Sequence, residues 1–369
     1  MIRPLLFVLA LLLPLSSALA REVVDLAGRT VTLPERIERI VLGEGRMLIA
    51  LGVVRAGDPT RGVVGMMGEY PLLDPAGWAL WRKHFPALDR VPLVGKASGD
   101  TFDAEAAIAL KPDLAIFGLA GHGPGPQATA TIARLEAAGV AVVFVDFFKD
   151  PLVHTPKSIR LLGEILDDRA RAAAFADAYA AALAAVDARV ARTADRPLVF
   201  VENRVGLQAD CCATVGRTVI GDLVERAGGR NLGSGLIPGN TGLVSLELLL
   251  TRQPDVYLGT AIGNPLSAAT QAARIQAGPG VSAEAARASL AASLARPGIA
   301  ELDAVRAGRA YALWHHFFHS PFNVVAVQAM AKMFHPQAFA DLDPVETLAD
   351  MLGRFQPFVA EGAYWTALR

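Results

Sequence analysis

Near the middle of the chain, Phe175, Tyr179, Leu183, Val186 and Val190 recur at intervals of three or four residues. That spacing stacks side chains on one face of an α-helix. Asp168 stands where a helix cap belongs, and the pattern runs on to about Arg192. A helix of those 24 residues from Arg169 is roughly 36 Å long at 1.5 Å per residue. Just upstream, Thr155-Pro156 reads as an N-cap and first-turn pair, with Ile159, Leu162, Ile165 and Leu166 in helical register. A rod of this length at mid-chain divides what lies on either side. It also limits how far the two sides can move, because a helix cannot absorb dihedral changes as a Gly-rich linker does.

On both sides of the rod, short apolar runs bounded by Gly, Pro or Asp alternate with helical patterns, the pattern of parallel α/β structure. Strands are expected at Arg39–Leu42, Val53–Ala56, Val91–Val94, Leu114–Phe117 and Val140–Val145, then at Leu198–Glu202, Val256–Gly259 and Ala310–Trp314. Helices are expected at 46–51, 102–110 and 128–138, then at 219–227, 246–250, 283–294 and 323–334. The fold class is therefore α/β, with two lobes of mainly parallel sheet joined by one long helix. The expected boundaries are an N-terminal lobe at 21–154, a linker helix at 155–192 and a C-terminal lobe at 193–369. At 369 residues the chain exceeds what one core usually holds.

The first twenty residues carry one charge, Arg3, then an apolar run from Leu5 to Leu13 and the small-residue ending Ala18-Leu19-Ala20. This order predicts a cleavable secretory signal at 1–20 and a mature start at Arg21. Pro14 interrupts the apolar run well short of the roughly 20 residues a spanning helix needs. No cysteine follows Ala20 to take lipid, so a free periplasmic protein is expected. Losing Arg3 takes the formal charge from −1 to −2, a balance that implies no nucleic-acid partner. The two cysteines are adjacent, Cys211 and Cys212, so neither C-x-x-C metal nor C-x-x-C redox chemistry applies. A vicinal disulfide and a pair of packed thiols both remain open.

The motifs along the mature chain occur in a telling order. Asp25-Leu26-Ala27-Gly28-Arg29-Thr30-Val31-Thr32-Leu33-Pro34 leads into Arg39-Ile40-Val41-Leu42. Then come Ala109-Leu110-Lys111-Pro112-Asp113-Leu114, Thr155-Pro156-Lys157-Ser158-Ile159 and Leu161-Leu162-Gly163. The second half has Ala227-Gly228-Gly229-Arg230-Asn231, Val244-Ser245-Leu246-Glu247, Gln253-Pro254-Asp255-Val256 and Ser320-Pro321-Phe322-Asn323, and closes with His335-Pro336-Gln337-Ala338-Phe339. Taken together, these resemble the periplasmic substrate-binding proteins of iron-complex and cobalamin ABC importers. The resemblance implies the helical-backbone, TroA-like fold, a ligand in the interlobe cleft and an inner-membrane permease as partner. It implies an iron complex as ligand, with ferric siderophore first, haem second and cobalamin third. It also implies permease docking by Glu105 and Glu225. A monomer with no resident cofactor is expected.

Loops after strand C-termini are where α/β sheets hold ligands. Arg46, Lys96 and His122 follow strands of the first half. Arg204, Arg217, Asn240 and the cluster Trp314-His315-His316-Phe317-Phe318-His319 belong to the second. The arginines can grip an anionic chelate bidentately from both sides, or serve only to solvate loops. His316 and His319 can donate to a chelate or, when neutral, ligate its metal; alternatively the cluster closes the second core. If strand alternation continued past Trp314, His316 and Phe318 would share one face. In the resembled family a Tyr often stands at the position of Phe318 and an Asn at that of His319. Tyr70, Trp78 and Trp81 lie in a long excursion and read as ligand cover or as local core. An enzyme is the rival class, but no G-x-S-x-G, H-E-x-x-H or phosphate-cradling Gly-rich motif is present, so no enzyme is expected.

Overall fold

The computed structural model describes residues 21–208, 211–217, 219–268 and 273–368. The expected signal at 1–20 lies outside them. The chain opens with the hairpin Arg21–Val24 and Thr30–Leu33. Its D-x-x-G-R turn has a physical cause. Asp25 Oδ1 accepts from the N–H groups of Ala27 and Arg29, Oδ2 pairs with Arg29 Nε at 3.0 Å, and Gly28 takes φ 78°. The hairpin is pinned to the first sheet by Leu26 N–H donating to Phe144 O and by Arg29 lying over the Phe144 ring.

Two sheets follow. The first runs Val63–Met66, Ile40–Leu42, Leu114–Gly118, Ala141–Val145, all parallel. The second runs Trp365–Ala367, Ala310–Trp314, Val256–Ala261, Leu198–Glu202, Arg230–Asn231, parallel except for the terminal edge strand. In each, the first strand in sequence lies between the second and the third. Both sheets therefore change winding direction beside their first strand, opening a crevice at its C-terminal end.

The rod is two helices, Pro151–Ile165 and Arg169–Val190, broken where Asp167 takes φ 61° and restarted by Asp168 capping Arg171 N–H. The first begins four residues before Thr155, so Pro156 sits inside it rather than in its opening turn. Helix 169–190 packs on helix Met47–Val54 of the first lobe and on Asn323–Phe334 and Pro344–Phe355 of the second. The bridging geometry is thus carried by a packed pair.

Other expectations are corrected. Val53 and Val54 end helix Met47–Val54 and are not a strand; that helix is buried on nearly every face and shows no period. The second strand is Val63–Met66, which the sequence reading passed over. Val91–Val94 contributes only a bridge from Leu93 to Met66. After Trp314 the chain turns into a 3₁₀ segment, His315–His319, so strand alternation stops there. Cys211 and Cys212 are joined as a vicinal disulfide, with Cys212 fully buried.

Candidate functional site

Each sheet's crevice carries an arginine directly after the first strand: Arg46 follows Ile40–Leu42, and Arg204 follows Leu198–Glu202. The two arginines line one cleft of about 350 Å³ between the lobes, together with His122, Arg274, His315, His316, Phe318 and His319. Sequence reasoning placed Arg46, His122, Arg204, His316 and His319 as ligand-facing residues, and the fold gathers these five.

Arg46 is 4% exposed and is positioned by Glu69, itself fully buried. The Glu69 carboxylate accepts from the N–H groups of Gly45 and Arg46, both at 2.9 Å, at the opening of helix Met47–Val54. It lies 3.8 Å from Arg46 Nε. Arg46 Nη1 is 3.3 Å from His316 Nδ1, while Nε and Nη2 have no hydrogen-bond partner. Buried donors of this kind are rarely left unsatisfied. Arg46 is also not the only buried ionisable group there, because Glu69 and Glu44 are buried beside it. Burial first, then the charge of Glu69, lifts the Glu44 carboxyl to about 7; Arg46 and the N–H groups of His122 and Gly123 pull the other way.

The imidazoles are neutral. Burial and then Arg46 lower His122 to about 4 and hold His316 and His319 well below the usual histidine range. Their environments differ in what they leave free. His316 Nδ1 faces Arg46 Nη1, so that nitrogen is engaged. His122 Nδ1 lies 3.1 Å from Ala97 O, which places the ring proton there and leaves Nε2 a lone pair. His319 makes no hydrogen bond through its ring among the described residues. It stacks on Phe148 at 4.6 Å and its ring centre is 5.4 Å from that of His122. Two neutral imidazoles from opposite lobes therefore meet across the cleft. Among the described residues no group of three or more His, Cys, Asp or Glu is arranged to hold a metal ion.

The remaining candidates lie elsewhere. Lys96 is exposed on its loop and does not line the cleft. Arg217 is exposed at the end of strand Ala213–Val215, and Asn240 precedes that strand's antiparallel partner and accepts from Gly216 N–H. Trp314 is buried behind the cleft with Tyr70 and Trp81, which makes those aromatics core rather than ligand cover. Glu105 is exposed and 3.6 Å from Arg134; Glu225 accepts from Asn231 N–H and pairs with Arg196. The glycine loops, read as room for ligand, are largely filled by protein. At Gly121, φ 137°, an added Cβ would run into the Glu44 carboxylate, and at Gly123 into the Gly43 carbonyl. Glu69 and Arg274 escaped the sequence reading because neither belongs to a strand-end loop with an obvious motif.

The comparisons agree with this geometry. The family model described as periplasmic binding protein matches residues 76–314. The fold is similar to the TroA-like periplasmic binding protein FepB of Veillonella parvula, with TM-score 0.83, 25% identity and coverage of 94% of this chain and 99% of that one. It is also similar to the molybdate periplasmic binding protein MolA of Haemophilus influenzae, bound to molybdate, with TM-score 0.68, 19% identity and coverage of 93% and 99%. A periplasmic heme binding protein from Pseudomonas aeruginosa gives TM-score 0.55, 24% identity and coverage of 82% and 94%. No curated protein sequence matches the chain. Among the described residues no helix is long and apolar enough to cross a membrane. With a family match over well more than half its length and a two-lobed fold around an interlobe cleft, the chain belongs to the periplasmic binding protein family.

Proposed function

We propose that this protein captures an iron complex, a ferric siderophore, in its interlobe cleft and hands it to the inner-membrane permease of an ABC importer. The observation that carries the reading is Arg46, a buried guanidinium with two unpartnered nitrogens on a cleft that also holds neutral imidazoles. An anionic chelate satisfies those donors. His122 Nε2 and His319 are placed to hydrogen-bond the chelate or to fill metal positions its chelator leaves open. The chain travels as a periplasmic monomer, cut from its signal after Ala20 and not lipidated, with lobes at 21–154 and 193–369 on the linker 155–192. Titration with ferric chelates, haem and cobalamin, followed by tryptophan fluorescence and melting temperature, tests the reading. One ferric chelate saturating at one per chain supports it, and no response from the whole panel removes it.

A haem cargo is the second reading, favoured by the apolar cleft rim. Leu72 and Leu207, from opposite lobes, are 64% and 42% exposed while lining the cleft. A shifted haem absorption band that is lost in His319→Ala would select it.

For the imidazoles, His319→Ala and His122→Ala are each expected to weaken cargo binding by about 1 kcal/mol or more, the scale of one hydrogen bond. Because both rings stay neutral well below pH 6.5, this loss should be the same at pH 6 and pH 8, as measured by titration calorimetry. A loss confined to one end of that range contradicts the neutral-imidazole account.

For the permease, Glu105 and Glu225 supply one docking carboxylate per lobe, and two contacts on a stiff frame bind far better than one. Since Glu225 also holds Asn231 N–H, the informative variant is Glu105→Gln with Glu225→Gln. Uptake of the chelate by cells relying on this variant should fall to background with cargo affinity unchanged. Normal uptake rules out the assignment.

A further inference from the structure

Behind the cleft wall lies a cavity that cargo capture leaves unused. It measures about 50 Å³, room for roughly three to five water-sized centres at about 10–15 Å³ each. Its walls come from both lobes: Tyr70 and Trp81 from the first, Trp314 and Phe317 from the second, with Tyr364 of the C-terminal segment closing it. All five rings are under a tenth exposed. One charged side chain lines this aromatic box, Asp74, 4% exposed. Its Oδ1 accepts from Gly77 N–H at 3.0 Å and caps helix Pro75–His84, while its Oδ2 has no partner.

A lone carboxylate oxygen without a donor in an apolar chamber is a costly arrangement. The chemistry that removes the cost is a cation able to donate to Oδ2 or neutralise it while resting its apolar surface on ring faces. A bare metal ion does not fit, because the lining offers one carboxylate and no second ligand of the His, Cys, Asp or Glu kind. We propose that this cavity is a second binding site, separate from the cargo cleft, for a small organic ammonium ion held by Asp74 Oδ2 and the surrounding aromatic faces. The half-buried Leu80, Gln356, Phe358 and Ala360 form its solvent side, where such an ion enters.

The carboxyl is in the right state to do this. Burial lifts Asp74 to about 6, against the Gly77 hydrogen bond and the Arg46 charge, so it is mainly anionic at neutral pH. The other titratable groups that face it are Tyr70 and Tyr364, both pushed upward by burial and uncharged throughout the accessible range.

The test titrates the purified mature protein with methylammonium, dimethylammonium and tetramethylammonium chlorides by calorimetry and tryptophan fluorescence, using sodium chloride as the ionic-strength control. At least one ammonium is expected to saturate at one per chain, with affinity falling as pH drops through about 6. Asp74→Asn keeps the helix cap, since asparagine also accepts from Gly77 N–H, and should cost about tenfold or more in ammonium affinity without lowering the melting temperature and with cargo binding unchanged. Trp81→Leu should weaken the same binding with the carboxylate intact. Absence of saturable binding by all three ions, leaving a chamber that holds only water, overturns the proposal. So does equal affinity in Asp74→Asn.

Discussion

Replacing Arg46 by methionine is expected to reduce cargo affinity by about 100-fold, since truncating one partner of a buried, charge-assisted contact costs about 2–5 kcal/mol. The guanidinium lines the cleft with two buried nitrogens that have no hydrogen-bond partner, so it loses the most when cargo is withheld from it. The same change leaves Glu69 buried without its counter-ion and should lower unfolding stability by about 3 kcal/mol. Arg46→Lys separates the two effects. A lysine keeps a positive charge beside Glu69 but cannot present the planar fork, so stability should recover more than affinity does. Urea unfolding together with a cargo titration reads both. Parent-like affinity in Arg46→Met would place the cargo elsewhere.

Glu44→Gln is expected to change how stability responds to pH. Glu44 rises from 4.5 in the unfolded chain to about 7 in the fold, chiefly through burial. A raised carboxyl contributes stability that is complete below the unfolded pKa and is lost as pH rises through the folded one. At 1.36 kcal/mol per unit, the parent should therefore lose about 3 kcal/mol relative to Glu44→Gln between about pH 4 and about pH 8. Binding follows the same sign. An anionic cargo meets a neutral Glu44 below pH 7 and a charged one above it, so parent affinity should strengthen on mild acidification while that of Glu44→Gln stays flat. The buried imidazoles act in the opposite direction on stability, being held neutral below their ordinary range, and their contribution is lost as pH falls below 6.5. Comparing the variant with its parent at each pH cancels that common background. A pH-independent difference in stability would show that folding does not shift Glu44.

Much of the architecture could be read from the chain because local chemistry and fold agreed. The D-x-x-G-R turn, the strands Leu114–Gly118, Leu198–Glu202 and Ala310–Trp314, and helix Asn323–Phe334 all have local signals matching their surroundings. The failures have physical causes. Helix Met47–Val54 is apolar on all sides, so its two closing valines looked like a strand. Val63–Met66 is four residues long and includes Gly65, leaving no alternation to count. In the site, the clustering of Arg46, His122, Arg204, His316 and His319 followed from strand-end positions. Their chemical states did not, since these depend on contacts distant in sequence. Arg46 meets Glu69 across 23 residues and His316 across 270. The reading of His316 as a possible metal ligand leaves out its neighbour: Arg46 Nη1 lies 3.3 Å from its Nδ1. His319, which takes the place of an Asn common in the resembled family, makes no ring hydrogen bond among the described residues and stacks on Phe148 instead.

The central claim is that the interlobe cleft carries an iron complex. Native mass spectrometry of the protein purified from the periplasm of its own host tests it most directly. The account predicts a chain beginning at Arg21, a single adduct with the isotope pattern of iron, and loss of that adduct in Arg46→Met. A chain that retains no adduct, or one carrying a metal-free organic molecule that survives in Arg46→Met, would contradict it.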